Sequence, residues 1–518
     1  METEQVTHEN RCTEFQLRQY EATVMVEDSI ISSIDAQEDS TSTPPDVDAS
    51  NGKKARRGFI LFGATSLLLL YRWNLEPIIY LLIILIIFRT GVWLLSKTTL
   101  FANESRHKSS SSRKRGWQLS GLLIASFFIF ILLGGVLFLN FSPQPGGAAE
   151  SFESPNFDDG TFQNMDSEET VVNDSFWGTL RNYMVSDGLR SPNSVLPTRE
   201  YKPLELENEE ISVTWLGHST LLIRSYNTTM ITDPLFGHEH TDPLFFGPTP
   251  FPYEHTYSPS QLPQIDYVFI SHDHYDHLDM DTVHELRDSM FYVPLGVKSH
   301  LLRWGVDETN IIEMDWYDEA TISNEFQVAF TPSQHFSGRG PFNMDTTLWG
   351  SWVFELHNKK MYFSGDSGYT QEFSIIGEKY GPFDLAFIES GQYDPAWKDV
   401  HMFPDEVIQA AHDLKARSIL PIHNSKFQLA FHPWDEPLRL VSSKGAEQNL
   451  TITTPMIGET FLLNQTLPSE PWWEGVSIGT PSFLKTNPLV GVALAPLNLV
   501  GIVWMIAGRK VKKSPQEP

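Results

Sequence analysis

Within six residues the chain presents His272, His274, Asp276 and His277, inside the stretch I-D-Y-V-F-I-S-H-D-H-Y-D-H-L-D that runs from Ile265 to Asp279. Imidazole and carboxylate donors at this density suit zinc or a similar first-row ion. The apolar run Tyr267 to Ile270 reads as a buried strand, and the donors follow it at once. Alternation at a strand end turns His272 and His274 the same way. Asp276 and His277 lie past the turn, where they can face a second ion. A solvated polar loop is the plain alternative, but it does not explain why further donors recur after later strands.

Three later segments share one design. Phe326–Thr331 leads to His335, Met361–Gly365 leads to Asp366, and Ser418–Ile422 leads to His423. In each, an apolar strand stops and a potential ligand stands just beyond it. Alone, each has an ordinary reading: a hydrogen-bonded core histidine, or an aspartate capping a turn. Together, ligands at one edge of neighbouring strands can converge on a point. Upstream, Ile211–Leu216, Leu221–Arg224 and Met230–Thr232 also read as strands. Residues 279–289 and 403–415 have helical spacing after possible helix starts. Strands first and strand–helix alternation later predict an α/β fold of two sheets packed between helices, a four-layer αβ/βα sandwich.

The pattern H-x-H-x-D-H, then His, Asp and His, with W-L-G-H-S-T and I-T-D-P upstream, resembles the metallo-β-lactamase superfamily. Further runs narrow the likeness. His335-Phe-Ser-Gly-Arg-Gly, Thr347–Trp352, Phe363–Tyr369, Gly381–Ala386 and His401-Met-Phe-Pro-Asp-Glu406 are similar to the N-acylphosphatidylethanolamine-hydrolysing phospholipase D group. The resemblance spans about 175–440. It implies two zinc ions, one held by His272, His274 and His335, the other by Asp276, His277 and His423, with Asp366 bridging. It also implies a catalytic part for Asp276 and His401 and substrate contacts from His401 and Tyr393; a structural histidine is the alternative for His401. Water activated between the ions would attack phosphorus, and one ion would take the phosphoryl oxygen as a Lewis acid. Asp273 lies between ligands and is expected to support them from behind.

The chain departs from the group pattern at Glu389-Ser-Gly-Gln-Tyr-Asp-Pro-Ala396 and at His423-Asn-Ser-Lys-Phe, near the metal edge. Such changes bear on substrate more than on metals. Phe245, Phe246, Phe251, Tyr253 and Tyr257 could wall a lipid site, or simply pack.

With 518 residues the chain has room for several domains. Its net charge of −28 disfavours nucleic-acid binding, which relies on neutralising phosphates. One cysteine, Cys12, excludes an intramolecular disulfide framework. Residues 1–57 read as an acidic, disordered tail. Apolar stretches at about 58–71, 77–95 and 117–141, and again at 488–508, read as transmembrane spans. Basic clusters at 53–57, 106–115 and 509–513 would face the cytoplasm, leaving the catalytic region on the far side of the membrane. Trp472 and Trp473 precede the last span, and 509–518 is a basic tail. Residues 142–174 read as a linker and 175–470 as the hydrolase domain.

The sequence therefore predicts a multi-pass, membrane-embedded di-zinc hydrolase. Its substrate would be a phospholipid or other small phosphoester, N-acylphosphatidylethanolamine first. A hydrolase of small phosphorylated or lactone substrates, a nuclease and a non-enzymatic scaffold are the alternatives. The sequence is silent on oligomeric state.

Overall fold

The computed structural model describes residues 142–149, 151–165, 189–237, 248–340 and 343–476. The expected tails, the stretches 58–71, 77–95, 117–141 and 488–508, and Phe245 and Phe246 lie outside these residues.

A short hairpin of β1 (Phe157–Asp158) and β2 (Thr161–Phe162) comes first. The first sheet is built from β3 (Ser212–Trp215), β4 (Leu221–Arg224), β5 (Thr229–Thr232), β6 (Tyr267–Phe269), β7 (Met290–Pro294) and β8 (Ile311–Met314). The second sheet comprises β9 (Glu319–Ser323), β10 (Phe326–Thr331), β11 (Ser351–Leu356), β12 (Lys359–Phe363), β13 (Leu385–Glu389), β14 (Ser418–Ile422) and β15 (Thr451–Ile452). The last strand, β16 (Thr460–Leu462), returns to the first sheet, whose order is β16-β3-β4-β5-β6-β7-β8. Five helices are described: α1 (Met280–Leu286), α2 (Lys298–Arg303), α3 (Glu372–Lys379), α4 (Pro404–Asp413) and α5 (Glu436–Glu447).

Side-chain alternation sorts these strands into four layers. Leu221 and Ile223, Phe269, Phe326, Val328 and Phe330, Trp352 and Phe354, and Met361 and Phe363 point inward and form one core between the sheets. Their neighbours Leu222, Ile231, Val268 and Ile270 point outward to Val283, Leu286 and Leu301 on α1 and α2. On the other side Val353, Tyr362, Ala386, Ile388 and Ile419 meet Ile376, Val407, Ala411 and Val441 on α3, α4 and α5. Strands covered on both faces read as continuous apolar runs, which is why they stand out in the sequence. The αβ/βα sandwich is thus the observed architecture.

Pairing direction explains the convergence of the strand ends. β3–β4–β5 are antiparallel neighbours, and β5, β6 and β7 are parallel. β3, β5 and β6 therefore end at one edge. In the second sheet β10–β11–β12 are antiparallel neighbours and β12, β13 and β14 are parallel, so β10, β12, β13 and β14 end together. The sheets are stitched at that edge. Trp352 Nε1 donates to Ile270 O across the sandwich at 2.9 Å, and Gly350 N donates to Ser271 O at 3.0 Å.

Several expectations need correction. Among the described residues no helix is long and apolar enough to cross a membrane, so the multi-pass reading is set aside. Residues 142–149 and 151–165 do not behave as a linker. Arg303 and Trp304 donate to the carbonyls of Ser142 and Pro143, both at 2.8 Å, and Phe162 is buried in the inter-sheet core. Trp472 and Trp473 also belong to that core. Phe251 packs there too, while the Tyr253 and Tyr257 hydroxyls donate to the carbonyls of Ser425 and Arg199.

Trp352 is fully buried, touches Phe269 and Phe330, and carries the inter-sheet bond. Trp352→Ala should cost about 3–5 kcal/mol, as buried tryptophan truncations do. A urea titration of the two proteins would read this as a clear fall in midpoint; coincident curves would contradict it.

Candidate metal centre

Seven side chains gather where the two sets of strand ends meet. His272 and His274 leave β6 on one turn, with His272 Nε2 and His274 Nδ1 2.8 Å apart. His335, four residues past β10, brings its Nε2 to 3.3 Å from His274 Nδ1. Asp366, three residues past β12, places Oδ2 at 3.8 Å from His272, 3.7 Å from His335 and 3.2 Å from His277. Its Oδ1 lies 3.1 Å from His423 Nδ1. Asp276 Oδ2 is 3.7 Å from His277 Nε2. The sequence-predicted ligands thus fall into neighbouring groups that share Asp366.

Turn chemistry puts them there. Gly365 has φ +56°, and a Cβ on it would lie 2.6 Å from Ser271 Cβ, so Asp366 can approach the β6 loop only over a glycine. Gly391 is more constrained still: a Cβ there would stand 1.8 Å from His423 O. His218, Asp233 and His423 adopt positive φ of 54°, 36° and 61°. Non-glycine residues held in this region cluster at functional sites.

Two residues that sequence reasoning did not assign join the group. His218 Nε2 is 3.0 Å from Asp276 Oδ2, and its ring centroid is 4.2 Å from that of His423. His218, Asp276, His277 and His423 form one set whose ligand atoms lie within 4.8 Å of one another; His272, His274, His335 and Asp366 form another. Asp233 Oδ2 accepts from Ser271 Oγ at 2.6 Å and faces His277 Nδ1 at 2.7 Å, which leaves His277 Nε2 to the centre. The available signal was the same as for the ligands: both follow strands, in W-L-G-H-S-T and I-T-D-P.

Asp273 turns away to Gly338 N and His300 Nε2, at 2.7 and 3.2 Å. Although burial opposes ionisation, the His300 contact prevails and pulls its carboxyl down to about 2. Arg339 clamps the same loop by donating to the carbonyls of Asp273 and Leu278 at 2.7 and 2.8 Å. His401 stacks on His423 with ring centroids 5.3 Å apart. Tyr393 is placed differently: its hydroxyl donates to Glu436 at 2.9 Å and its ring stacks on His432.

The donor set fits a metal. Burial, with repulsion from His277 and His274, holds His272 well below the usual imidazole range; burial also holds His335 and His423 there. Neutral imidazole is the form that coordinates. Burial opposes charge on His277 as well, but Asp366, Asp276 and Asp233 outweigh it and raise that ring well above its ordinary value. Asp366, held well below the carboxylate range against its burial by His277 and His423, is 3% exposed. His277 Nε2 and Asp366 Oδ1 are buried without hydrogen-bond partners. Lone pairs converging on one space, with surplus negative charge and unmet polar atoms, call for cations there.

Residues 228–424 match the family described as beta-lactamase superfamily domain. The chain belongs to the metallo-β-lactamase superfamily and is a hydrolase of that fold. An uncharacterized protein of Mycobacterium tuberculosis (strain H37Rv) is 35% identical over 341 residues, 63% of this chain and 89% of its own. N-acyl-phosphatidylethanolamine-hydrolyzing phospholipase D 1 of Caenorhabditis elegans is 31% identical over 293 residues, 52% of this chain and 81% of its own. The mitochondrial N-acyl-phosphatidylethanolamine-hydrolyzing phospholipase D of Saccharomyces cerevisiae is 33% identical over 238 residues, 43% of this chain and 49% of its own. Within the superfamily the chain falls in the group that is similar to these phospholipases.

Asp233 Oδ2 holds the His277 ring from behind, so Asp233→Asn should weaken metal binding about 10- to 100-fold. Competition against a chromophoric chelator measures this; unchanged affinity would remove Asp233 from the supporting shell.

Proposed function

We propose that this chain binds two zinc ions and hydrolyses a phosphodiester by a phospholipase D-type reaction. N-acylphosphatidylethanolamine is the substrate and N-acylethanolamine and phosphatidic acid are the products. The observation that carries this reading is the pair of ligand groups meeting at Asp366. His272, His274 and His335 would hold one ion, and Asp276, His277 and His423 the other, with Asp366 between them. The names of the Caenorhabditis and yeast relatives support the choice of substrate.

Such ions, when bound, would bring the pKa of a water from 15.7 to about 7 and polarise a phosphoryl oxygen. The protein's own part is positioning. Asp233 fixes the ring of His277. Asp273 and Arg339 fix the loop that carries four of the donors. His401, beside His335 and His423, would line the scissile phosphate. In the balanced reaction an oxygen–phosphorus bond forms from water, the phosphorus–oxygen bond to the ethanolamine breaks, and the leaving oxygen takes up a proton.

A second reading, hydrolysis of a small phosphorylated or lactone substrate, is favoured by one observation. Arg190, Gln392, Asn424, Gln428 and His432 line a small cavity beside the turn that follows His423. Gln392 stands in the segment that departs from the phospholipase pattern. Phe427, Ala430 and Trp434 also line it, and a recess this small leaves no room there for an acyl chain.

The full-length protein decides between them. We expect about two zinc ions per chain and release of phosphatidic acid from N-acylphosphatidylethanolamine. Chelation should abolish turnover and zinc should restore it. His272→Ala and Asp366→Ala should each lose bound metal and at least 1000-fold in kcat, about 4 kcal/mol at 1.36 kcal/mol per decade. Two zincs without lipid turnover, alongside hydrolysis of small phosphoesters or lactones, would favour the second reading.

A further inference from the structure

Glu389 is the last residue of β13 and is wholly buried. Its Oε1 accepts the Met402 N–H at 2.6 Å, and its own N–H donates to Ser364 Oγ at 2.9 Å. Its Oε2 faces His401 Nδ1 at 3.5 Å. Both of these atoms are buried and neither has a hydrogen-bond partner. A buried carboxylate oxygen left unpaired is costly. Here the unpaired oxygen is aimed at an imidazole nitrogen with the same need.

His401 is placed to connect this carboxylate with the metal centre. Its side chain is 13% exposed, while that of Glu389 is fully enclosed. The ring meets His335 edge-on with centroids 5.2 Å apart. A ring nitrogen of His401 lies within 4.8 Å of ligand atoms of Asp366 and His423. Neutral imidazole carries one N–H, which can sit on either nitrogen, and a neighbouring acceptor decides which. In serine proteases a buried carboxylate behind the histidine does this, and exchanging it for an amide costs about 10⁴ in kcat through the wrong tautomer.

We propose that Glu389 is a positioning residue that accepts the Nδ1–H of His401 and so leaves the Nε2 lone pair free to take a proton from the water that attacks the phosphoryl group. This rests on the reading of the centre as a site of phosphodiester hydrolysis. The 3.5 Å separation is longer than a formed hydrogen bond. Catalytic hydrogen bonds commonly tighten as substrate binds.

The test uses the zinc-loaded full-length protein with ¹⁵N-labelled histidine, and Glu389→Gln, His401→Ala and the double variant. The His401 ring, identified as the signal absent from His401→Ala, should have its proton on Nδ1 in the parent and lose that pattern in Glu389→Gln. Glu389→Gln should lower kcat about 100-fold, with KM, bound zinc and melting temperature unchanged. With His401 already alanine it should cost nothing further. A parent ring protonated on Nε2 alone, or a ring pattern indifferent to Glu389→Gln, overturns the proposal. So does an equal cost of Glu389→Gln with and without His401, or a loss of zinc, which would make Glu389 a support of the metal shell. The ring spectrum needs no substrate, so it holds even if N-acylphosphatidylethanolamine is not turned over. In that event the kinetic cycle is run on bis(p-nitrophenyl) phosphate.

Discussion

A carboxylate removed from water has to be neutralised, and Asp366 is where that requirement is most severe. It is almost fully buried with four imidazoles within 4 Å, those of His272, His277, His335 and His423. Asp233 and Asp276 add negative charge nearby. Histidines alone meet this demand poorly, because burial favours their neutral form. Cations held by these donors would balance the charge. The surrounding structure can be understood as what is needed to deliver these groups to one place: short apolar strands that stop at a common edge, turns in the left-handed region, and glycines where two loops touch.

Precision comes from joining the sheets at that edge. The inter-sheet bond of Trp352, the contact of Gly350 with Ser271, and the backbone bonds between His218, His423 and Asn424 tie the loops of one half to those of the other. Each ligand stands within a few residues of the end of a strand covered on both faces. A site built on rigid elements holds its ligands closely, whereas long loops would not. The Asp273–His300 pair and the Arg339 clamp add a second tier of support that carries no chemistry of its own.

Much of this was legible in the residues. A doubly covered strand must be apolar throughout, so β6, β10, β12 and β14 announce themselves, and a donor just past each end is visible by position. His218 and Asp233 follow strands as well, but a lone histidine or aspartate after a strand is usually a turn or a cap. What distinguishes them is contact with Asp276 and His277, 58 and 44 positions away. Glu389 is hidden for a similar reason, as its partner comes from the loop before α4. The segments 142–149 and 151–165 misled through composition. Proline and glycine suggested a linker, yet they dock through main-chain carbonyls that composition does not record. Apolar stretches suggested a membrane protein, while among the described residues Trp472 and Trp473 serve the core.

The closing strand has a consequence for how the protein comes into being. β16 pairs with β3 across 246 positions, Thr460 opposite Thr214. During synthesis β3 must therefore wait beside an empty edge while the whole second sheet is made. Contacts so distant in sequence are entropically slow to form, and an unpaired edge invites pairing with other chains. A ribosome that stalls between the codons for His423 and Thr460 would hold a polypeptide with its candidate ligands all made but one sheet unclosed.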